Sequence, residues 1–479
     1  MKPFLFSSYL GLNLVQAVAA FGMVAIFTRL LPPEAYGRYV LALASLNLVM
    51  AVTHGWLHSA MGRFYAKARQ EGTLARYGST GLAALLLASG LTIVLWLLGH
   101  AGMHQAGQDA SWEALLWAAG AALVLRAIFQ THLEIHRAAG RSTRYVLLEG
   151  AHLLVSLALS VGLLLATPLR ESAPLWGLAL ASGILVVYDG SVWHRLGAHP
   201  TQADRQEWLS YWRFGWPISL SLLLSQLLAN GDRYLVSWLL DNASVGLYAV
   251  AYALVDRPMG ILFNSLAMAT LPRAFAAMEQ QGPEAATAIL AHNWENQWAV
   301  TLPAAAGLSL LARPLVTLLA GHDFAAAAQV IPWVAAGTLA QGFMLHHAAH
   351  LFLLHNRTAP LVWTNLAPLA VNVGLNLWLI PTMGLTGAAI ATCFSYLLGL
   401  LVRILLADQL FTTPLPRPWK PVFKAICATA GMCVVLLGIP DWPGAPGLAG
   451  TILLGVFSYA LFGWLVNLAG CRHWSLSSK

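Results

Sequence analysis

The chain has 479 residues, of which 58% are hydrophobic and only 9% charged, with a mean hydropathy of +0.66. That leaves too little polar surface to wrap a water-soluble globule of this size, so the composition specifies a membrane protein. The formal charge of +7 could signal an anionic partner, but basic residues in such a chain first of all set topology.

The apolar runs are mostly long enough for an α-helix to cross about 30 Å of hydrocarbon, whereas barrel strands would be short and alternating. In chain order they fall near 8–30, 40–57, 78–99, 112–136, 146–166, 174–193, 214–239, 246–270, 294–319, 326–355, 359–380, 383–408, 421–438 and 446–469. The first is too long for a signal-peptide core, and its Ala17-x-Ala19 lies inside the run, so it reads as a retained span. If the N-terminus is cytoplasmic, the inner segments collect Lys2, Arg63, Lys67, Arg69, Arg76, Arg137, Arg141, Arg144, Arg195, Arg205, Arg213, Arg273, Arg357, Arg417, Lys420, Lys424, Arg472 and Lys479. The outer segments hold only Arg29, Arg38, Arg170 and Arg313. This positive-inside asymmetry places both termini in the cytoplasm. Cys393, Cys427, Cys433 and Cys471 lack CxxC spacing, which indicates neither a disulfide framework nor a metal knuckle. All loops are short and leave no room for a soluble catalytic domain.

The sequence repeats. Shifted by 209 positions, Leu30, Leu31, Gly37, Tyr39, Ala42 and Ala44 fall on Leu239, Leu240, Gly246, Tyr248, Ala251 and Ala253. Each set joins the end of one span to the start of the next across an outer turn. Spans 1 and 7 are six apart, an even number, so the two units share an orientation, as parallel repeats do. The expected architecture is an all-α polytopic membrane protein of about fourteen transmembrane helices: a six-helix lobe over 1–200, a second over 201–410, and two added helices with a short tail over 411–479.

TRLLPPEAYGRYVLALA (28–44) resembles the "TR-x-LGP-x-x-YG-x-Y" signature of bacterial polysaccharide-export flippases in the multidrug/oligosaccharidyl-lipid/polysaccharide exporter superfamily. GDRYLVSWLLDNASVGLYAVAYAL (231–254) is similar to the same family's span 7 to span 8 segment, and MGLTGAAIATCFSYLLGLLVR (383–403) to its "GxxGAAxAT" start of span 12. The similarity runs over most of residues 1–408, with Pro32-Pro33 standing where the family has Gly-Pro. The resemblance implies a V-shaped transporter of two lobes related by pseudo-twofold symmetry. Such a protein moves a polyprenyl-diphosphate-linked oligosaccharide, for example an O-antigen or exopolysaccharide unit, from the cytoplasmic to the periplasmic leaflet of the bacterial inner membrane. A polysaccharide polymerase and a chain-length regulator are the partners it implies.

A charge at bilayer depth is costly unless it meets water, a partner or a cavity, which makes such residues functional candidates. Arg126, Arg233 and Arg257 are read as lining a cationic cavity for the diphosphate, since the guanidinium fork suits phosphate oxygens and keeps its charge. Local pairing, with Asp232 for Arg233 and with Asp256 for Arg257, is the competing reading. Span 4 offers Arg126 no carboxylate within a helical turn. Arg29 at the outer rim serves either as an interfacial anchor or in gating or substrate contact, which adds it to the substrate-binding candidates, and Arg403 reads as snorkelling to the inner headgroups. Asp232, Asp256 and Glu295 are candidates for coupling or gating. Asn13, Gln16, Asn47, Gln226, Asn230 and Asn264 can hydrogen-bond sugar hydroxyls or serve as interhelical glue.

In HHAAHLFLLH (346–355), His346 and His350 share a face at i,i+4, but with no carboxylate and no third ligand they read as polar lining or a proton-sensitive contact and not as a metal site. No cofactor and no nucleic-acid partner is expected, and the absence of a Walker loop argues against ATP hydrolysis by this chain. A small-molecule antiporter of the same superfamily would place acidic residues at depth, where these charges lean basic. A polymerase or glycosyltransferase would need paired outer carboxylates, and Glu34, Asp109, Glu171, Asp241, Asp323 and Asp441 are scattered.

Overall fold

The computed structural model describes residues 3–105, 110–355, 357, 359–439 and 444–468. Lys2, Asp109, Asp441, Cys471, Arg472, Lys479 and the side chain of Asn13 therefore lie outside the described residues. Among those described there are helices and turns but no strand. By internal contacts the chain forms two units, Met1–Tyr234 and Leu235–Lys479.

The first unit contains α1 (Pro3–Leu30), α2 (Pro33–Thr53), α3 (Gly55–Gln70), α4 (Leu74–Gln105), α5 (Ala110–Ala138), α6 (Ser142–Ala166), α7 (Ala173–Tyr188), α8 (Ser191–Leu196) and most of α9 (Arg205–Leu239). Helix α6 packs on α7 and α1, and α5 packs on α7, α3 and α2. Close approach of α6 and α7 is possible because Gly177 lies against the backbone of Ser160. Helix α3 joins the bundle through a cluster of Trp56, Leu57, Met61, Tyr65, Tyr77 and Tyr211, in which the Tyr77 hydroxyl donates to the carbonyl of Met61 at 2.7 Å.

The second unit contains α10 (Asn242–Gln280), α11 (Pro283–Leu310), α12 (Ala312–Leu319), α13 (Ile331–Phe343), a π-helical turn (Met344–Ala348), α14 (Ala349–Leu354), α15 (Ala359–Met383), α16 (Leu385–Leu410), α17 (Trp419–Leu437) and α18 (Gly444–Leu465). Its main packings are α10 on α11, α15 and α13 on α16, α11 on α17, and α17 on α18.

Ten described helices are long and apolar enough to cross a membrane, or eleven with the pair α11 and α12. With α1, α9 and the α13–α14 stretch, helices occupy all fourteen apolar windows of the sequence. The window 294–319 is not one straight span: the chain bends by 71° between α11 and α12. Large apolar side chains such as Val187, Leu437 and Trp363 are 70–83% exposed, as expected where hydrocarbon is the solvent.

The repeat is visible in the helix boundaries. Helix α1 ends at Leu30 and α2 starts at Pro33; α9 ends at Leu239 and α10 starts at Asn242, the same positions 209 residues on. The two turns start their second helix differently. Pro32 is extended and Pro33 begins α2, where a missing N–H costs nothing. At the equivalent place the Asp241 carboxylate accepts from the Ser244 backbone N–H at 2.6 Å, a side-chain N-cap. Tyr39 and Tyr248 are buried at equivalent positions in their own units.

Candidate functional site

In the first unit, α5 carries Arg126 towards α6. Its guanidinium donates to Glu149 from Nη2 at 3.2 Å and from Nη1 at 3.4 Å. Nη1 also lies 3.1 Å from Nδ1 of His152, whose Nε2 meets the Ser182 hydroxyl at 2.9 Å. The Phe129 ring stacks on His152 at 4.9 Å and lies 5.4 Å from the guanidinium. Span 4 supplies no carboxylate near Arg126; the neighbouring helix does. Glu149 and His152 were not singled out from the sequence, although the rule that flagged Arg126, charge inside an apolar window, applies to Glu149 as well.

Arg233 donates to Asn230, and Asn230 donates in turn to Gln226 at 2.8 Å, so three residues read from the sequence form one polar ladder along α9. Asp232 is buried. Next to it Tyr234 meets Ser45 of α2, hydroxyl to hydroxyl, at 2.9 Å. At the outer rim Arg29 is exposed and its Nη1 donates to the Ala25 carbonyl at 2.7 Å. Arg38 pairs with Glu34 at 2.6 Å and with buried Glu171 at 2.8 Å. The charges of the PPEAYGR turn thus tie the start of α2 to the segment before α7.

In the second unit the Asp256 carboxylate accepts from Thr338 at 2.6 Å. Arg257, one residue on, is exposed and makes no ion pair or hydrogen bond among the described residues. Pro258 follows it inside α10 and lines a groove of about 450 Å³ walled by Ala299, Pro303, Gly307, Leu436, Ile452 and Val456 of α11, α17 and α18. Glu295 is partly exposed, 3.7 Å from exposed His292.

His346 stacks on Phe263 at 5.7 Å and lies 6.3 Å, centroid to centroid, from buried His350. Among the described residues no three His, Cys, Asp or Glu converge as a metal site would require. His346 lies within the π-helical turn and His350 just after it; such a turn is a local widening often found at functional sites. Arg403 does not snorkel: it is 2% exposed. It donates to the Met344 carbonyl at 3.0 Å, to Thr364 at 3.0 Å and to Asn365 at 2.7 Å. The His346 carbonyl accepts from Gln297 at 2.8 Å. Three uncharged acceptors here replace the water that snorkelling would have reached. Between α15 and α16, buried Asn376 donates to Asn372 at 3.0 Å, and Asn372 donates to Thr392 at 3.1 Å, a polar layer the sequence reading passed over.

The family described as "Polysaccharide biosynthesis protein" matches residues 6–278, and that described as "Lipid II flippase MurJ" matches residues 215–458. A "Probable lipid II flippase MurJ" from Thermotoga maritima is 26% identical over 268 residues, 54% of this chain and 53% of that protein. The chain thus spans about half the length of this curated relative. Among solved structures, "Lipid II flippase MurJ, inward closed conformation" superposes with a TM-score of 0.78 at 14% identity, covering 97% of this chain and 98% of that one. An inward-facing multidrug resistance MATE family transporter of the MOP superfamily gives a TM-score of 0.65 at 15% identity, with 82% and 93% covered. At such identities the structural likeness is one of fold. Matched by two overlapping family descriptions, each over half its length or more, the chain belongs to the lipid-linked flippase family that they describe.

Proposed function

We propose that this chain carries a polyprenyl-diphosphate-linked saccharide across the bacterial inner membrane, from the cytoplasmic to the periplasmic leaflet, by alternating access with both termini in the cytoplasm. The observation that carries the reading is the adjacency, within the second unit, of exposed and unpaired Arg257 to the apolar groove that begins at Pro258. A cation beside a groove with almost no polar lining suits an amphiphile whose diphosphate needs a guanidinium and whose polyprenyl chain needs hydrocarbon. Arg126 is a second candidate for the diphosphate, provided the anion competes with Glu149. Arg233 and Arg29 are further candidates, with Asp232, Asp256, Glu295, His346 and His350 for coupling or gating. No bond in the substrate is made or broken in this reading.

The match of residues 215–458 to the lipid II flippase family favours a peptidoglycan precursor as cargo. The match of residues 6–278 to the polysaccharide biosynthesis family supports the other reading, an O-antigen or exopolysaccharide unit, for which a polymerase and a chain-length regulator would be partners. The test is translocation in proteoliposomes of fluorescent lipid II and of a fluorescent polyprenyl-diphosphate oligosaccharide, comparing wild type with Arg257→Ala. Translocation of either that Arg257→Ala lowers by about tenfold, the loss of roughly one charge-assisted hydrogen bond, supports the proposal and identifies the cargo. Failure of the wild type to move both under imposed ion gradients would sink it.

A further inference from the structure

The turn between α5 and α6 builds a pocket whose lining includes none of the residues proposed above for translocation. Helix α5 ends in EIHRAAGR. Gly140 adopts φ +70°, its N–H donates to the Arg137 carbonyl at 3.1 Å, and the Arg141 N–H donates back to the His136 carbonyl at 2.9 Å. This left-handed cap suits glycine and sets His136 and Arg141 on the rim of one cavity. Helix α6 then starts at Ser142 with no side-chain cap, so its first N–H groups and the positive end of its dipole face outward.

The cavity, of about 420 Å³, is lined by His136, Arg141, Ser142, Thr143, Arg144 and Arg195. Behind it Asp189, fully buried, accepts from His136 Nε2 at 2.7 Å and from Arg144 at 2.9 Å, with Arg195 at 3.6 Å. Of the three arginines that line the cavity, Asp189 pairs with Arg144 and Arg195, and Arg141 has no ion pair among the described residues; nearby Glu134 is taken by Arg137. Two residues that line the cavity also carry a buried nitrogen without a hydrogen-bond partner among the described residues: Nδ1 of His136, which is 1% exposed, and Nε of Arg144. Three arginines and the N-terminus of α6 lining one cavity together call for an oxyanion with several acceptor oxygens.

We propose that this pocket binds the phosphate of an anionic phospholipid headgroup. The lipid source follows from the surroundings. The Arg144 guanidinium lies 4.9 Å from the ring of Tyr188, which is 64% exposed, and beside it Leu147 and Val187 are 64% and 83% exposed. An exposed tyrosine between a basic pocket and bare apolar side chains marks headgroup depth. The basic residues belong to a segment that the positive-inside asymmetry assigns to the cytoplasmic face, where anionic lipids attract them. A phosphate in the cavity leaves acyl chains free to lie along Leu147 and Val187.

The experiment is native mass spectrometry of the detergent-purified full chain titrated with dioleoyl phosphatidylglycerol or dioleoyl phosphatidylcholine, with and without inorganic phosphate. Wild type is compared with R141Q/R195Q, whose side chains are exposed, and with R63Q/R69Q, which removes equal charge elsewhere on the same face. The expected result is one phosphatidylglycerol adduct held about tenfold more weakly by R141Q/R195Q than by wild type or R63Q/R69Q, with no such difference for phosphatidylcholine. Equal phosphatidylglycerol affinity in all three proteins overturns the site. Displacement of the lipid by equimolar inorganic phosphate overturns the lipid source and assigns the pocket to a free anion.

Discussion

Arg403 of α16 donates to the carbonyl oxygen of Met344, the first residue of the π-helical turn, at 3.0 Å. A π turn holds an extra residue and disturbs the regular carbonyl ladder. Arg403 and Gln297 supply side-chain donors to carbonyls of that turn from two neighbouring helices. Arg403→Leu leaves Met344, Thr364 and Asn365 without this donor, and each buried unsatisfied group costs about 1–3 kcal/mol. The expected outcome is a fall in thermal stability in detergent that Arg403→Lys restores only in part, because an ammonium lacks the guanidinium's fork of donors. Equal melting temperatures for wild type and Arg403→Leu would contradict the brace.

Arg126 and Glu149 form a part-buried pair, 18% and 11% exposed at the side chain. Removing one partner strands the other, so Arg126→Ala should cost about 3 kcal/mol, while Arg126→Leu combined with Glu149→Leu should recover most of that. The double variant also separates structure from transport. Recovered stability with lost translocation makes Arg126 a diphosphate contact; recovery of both makes the pair purely structural.

A Cβ on Gly177 of α7 would stand 2.5 Å from the Ser160 backbone nitrogen on α6. Backbone cannot swing aside as a side chain does, so Gly177→Ala should destabilise the first unit by about 1–3 kcal/mol. Gly162→Ala, on the same helix α6 and with open space around it, should be neutral or slightly stabilising. Thermal unfolding of the two variants side by side tests the contrast.

Glu207, in the segment before span 7, accepts from Thr80 at 3.2 Å. Burial pushes its carboxyl above the ordinary value of 4.5, against the pull of Thr80 and Arg76. The folded state therefore holds this proton more tightly than the unfolded one. The sign follows: the contribution is stabilising below the ordinary carboxylate value and is lost as pH rises through the raised folded one. Melting temperatures taken upward from pH 4 should fall less for Glu207→Gln than for wild type; parallel profiles would refute the assignment.

Several features were legible before any coordinates. Composition and the lengths of the apolar windows determined the all-helical membrane class, because a span must bury its own backbone hydrogen bonds over a fixed thickness. The 209-residue repeat located both equivalent turns, because turn chemistry is local, although the apolar windows began at 40 and 246 where the helices start at Pro33 and Asn242. What tertiary structure decided was the fate of each buried charge. Sequence marks Arg126, Arg257 and Arg403 alike as arginines in apolar windows. Packing gave the first Glu149 and His152, left the second exposed beside an apolar groove, and closed the third around the carbonyl of a π turn. The same holds for Asp189, whose histidine and arginine partners come from three helices. Whether a charge in a membrane is a site, a brace or a pair depends on which helix faces it, and that choice belongs to long-range packing rather than to the spacing of residues along one chain.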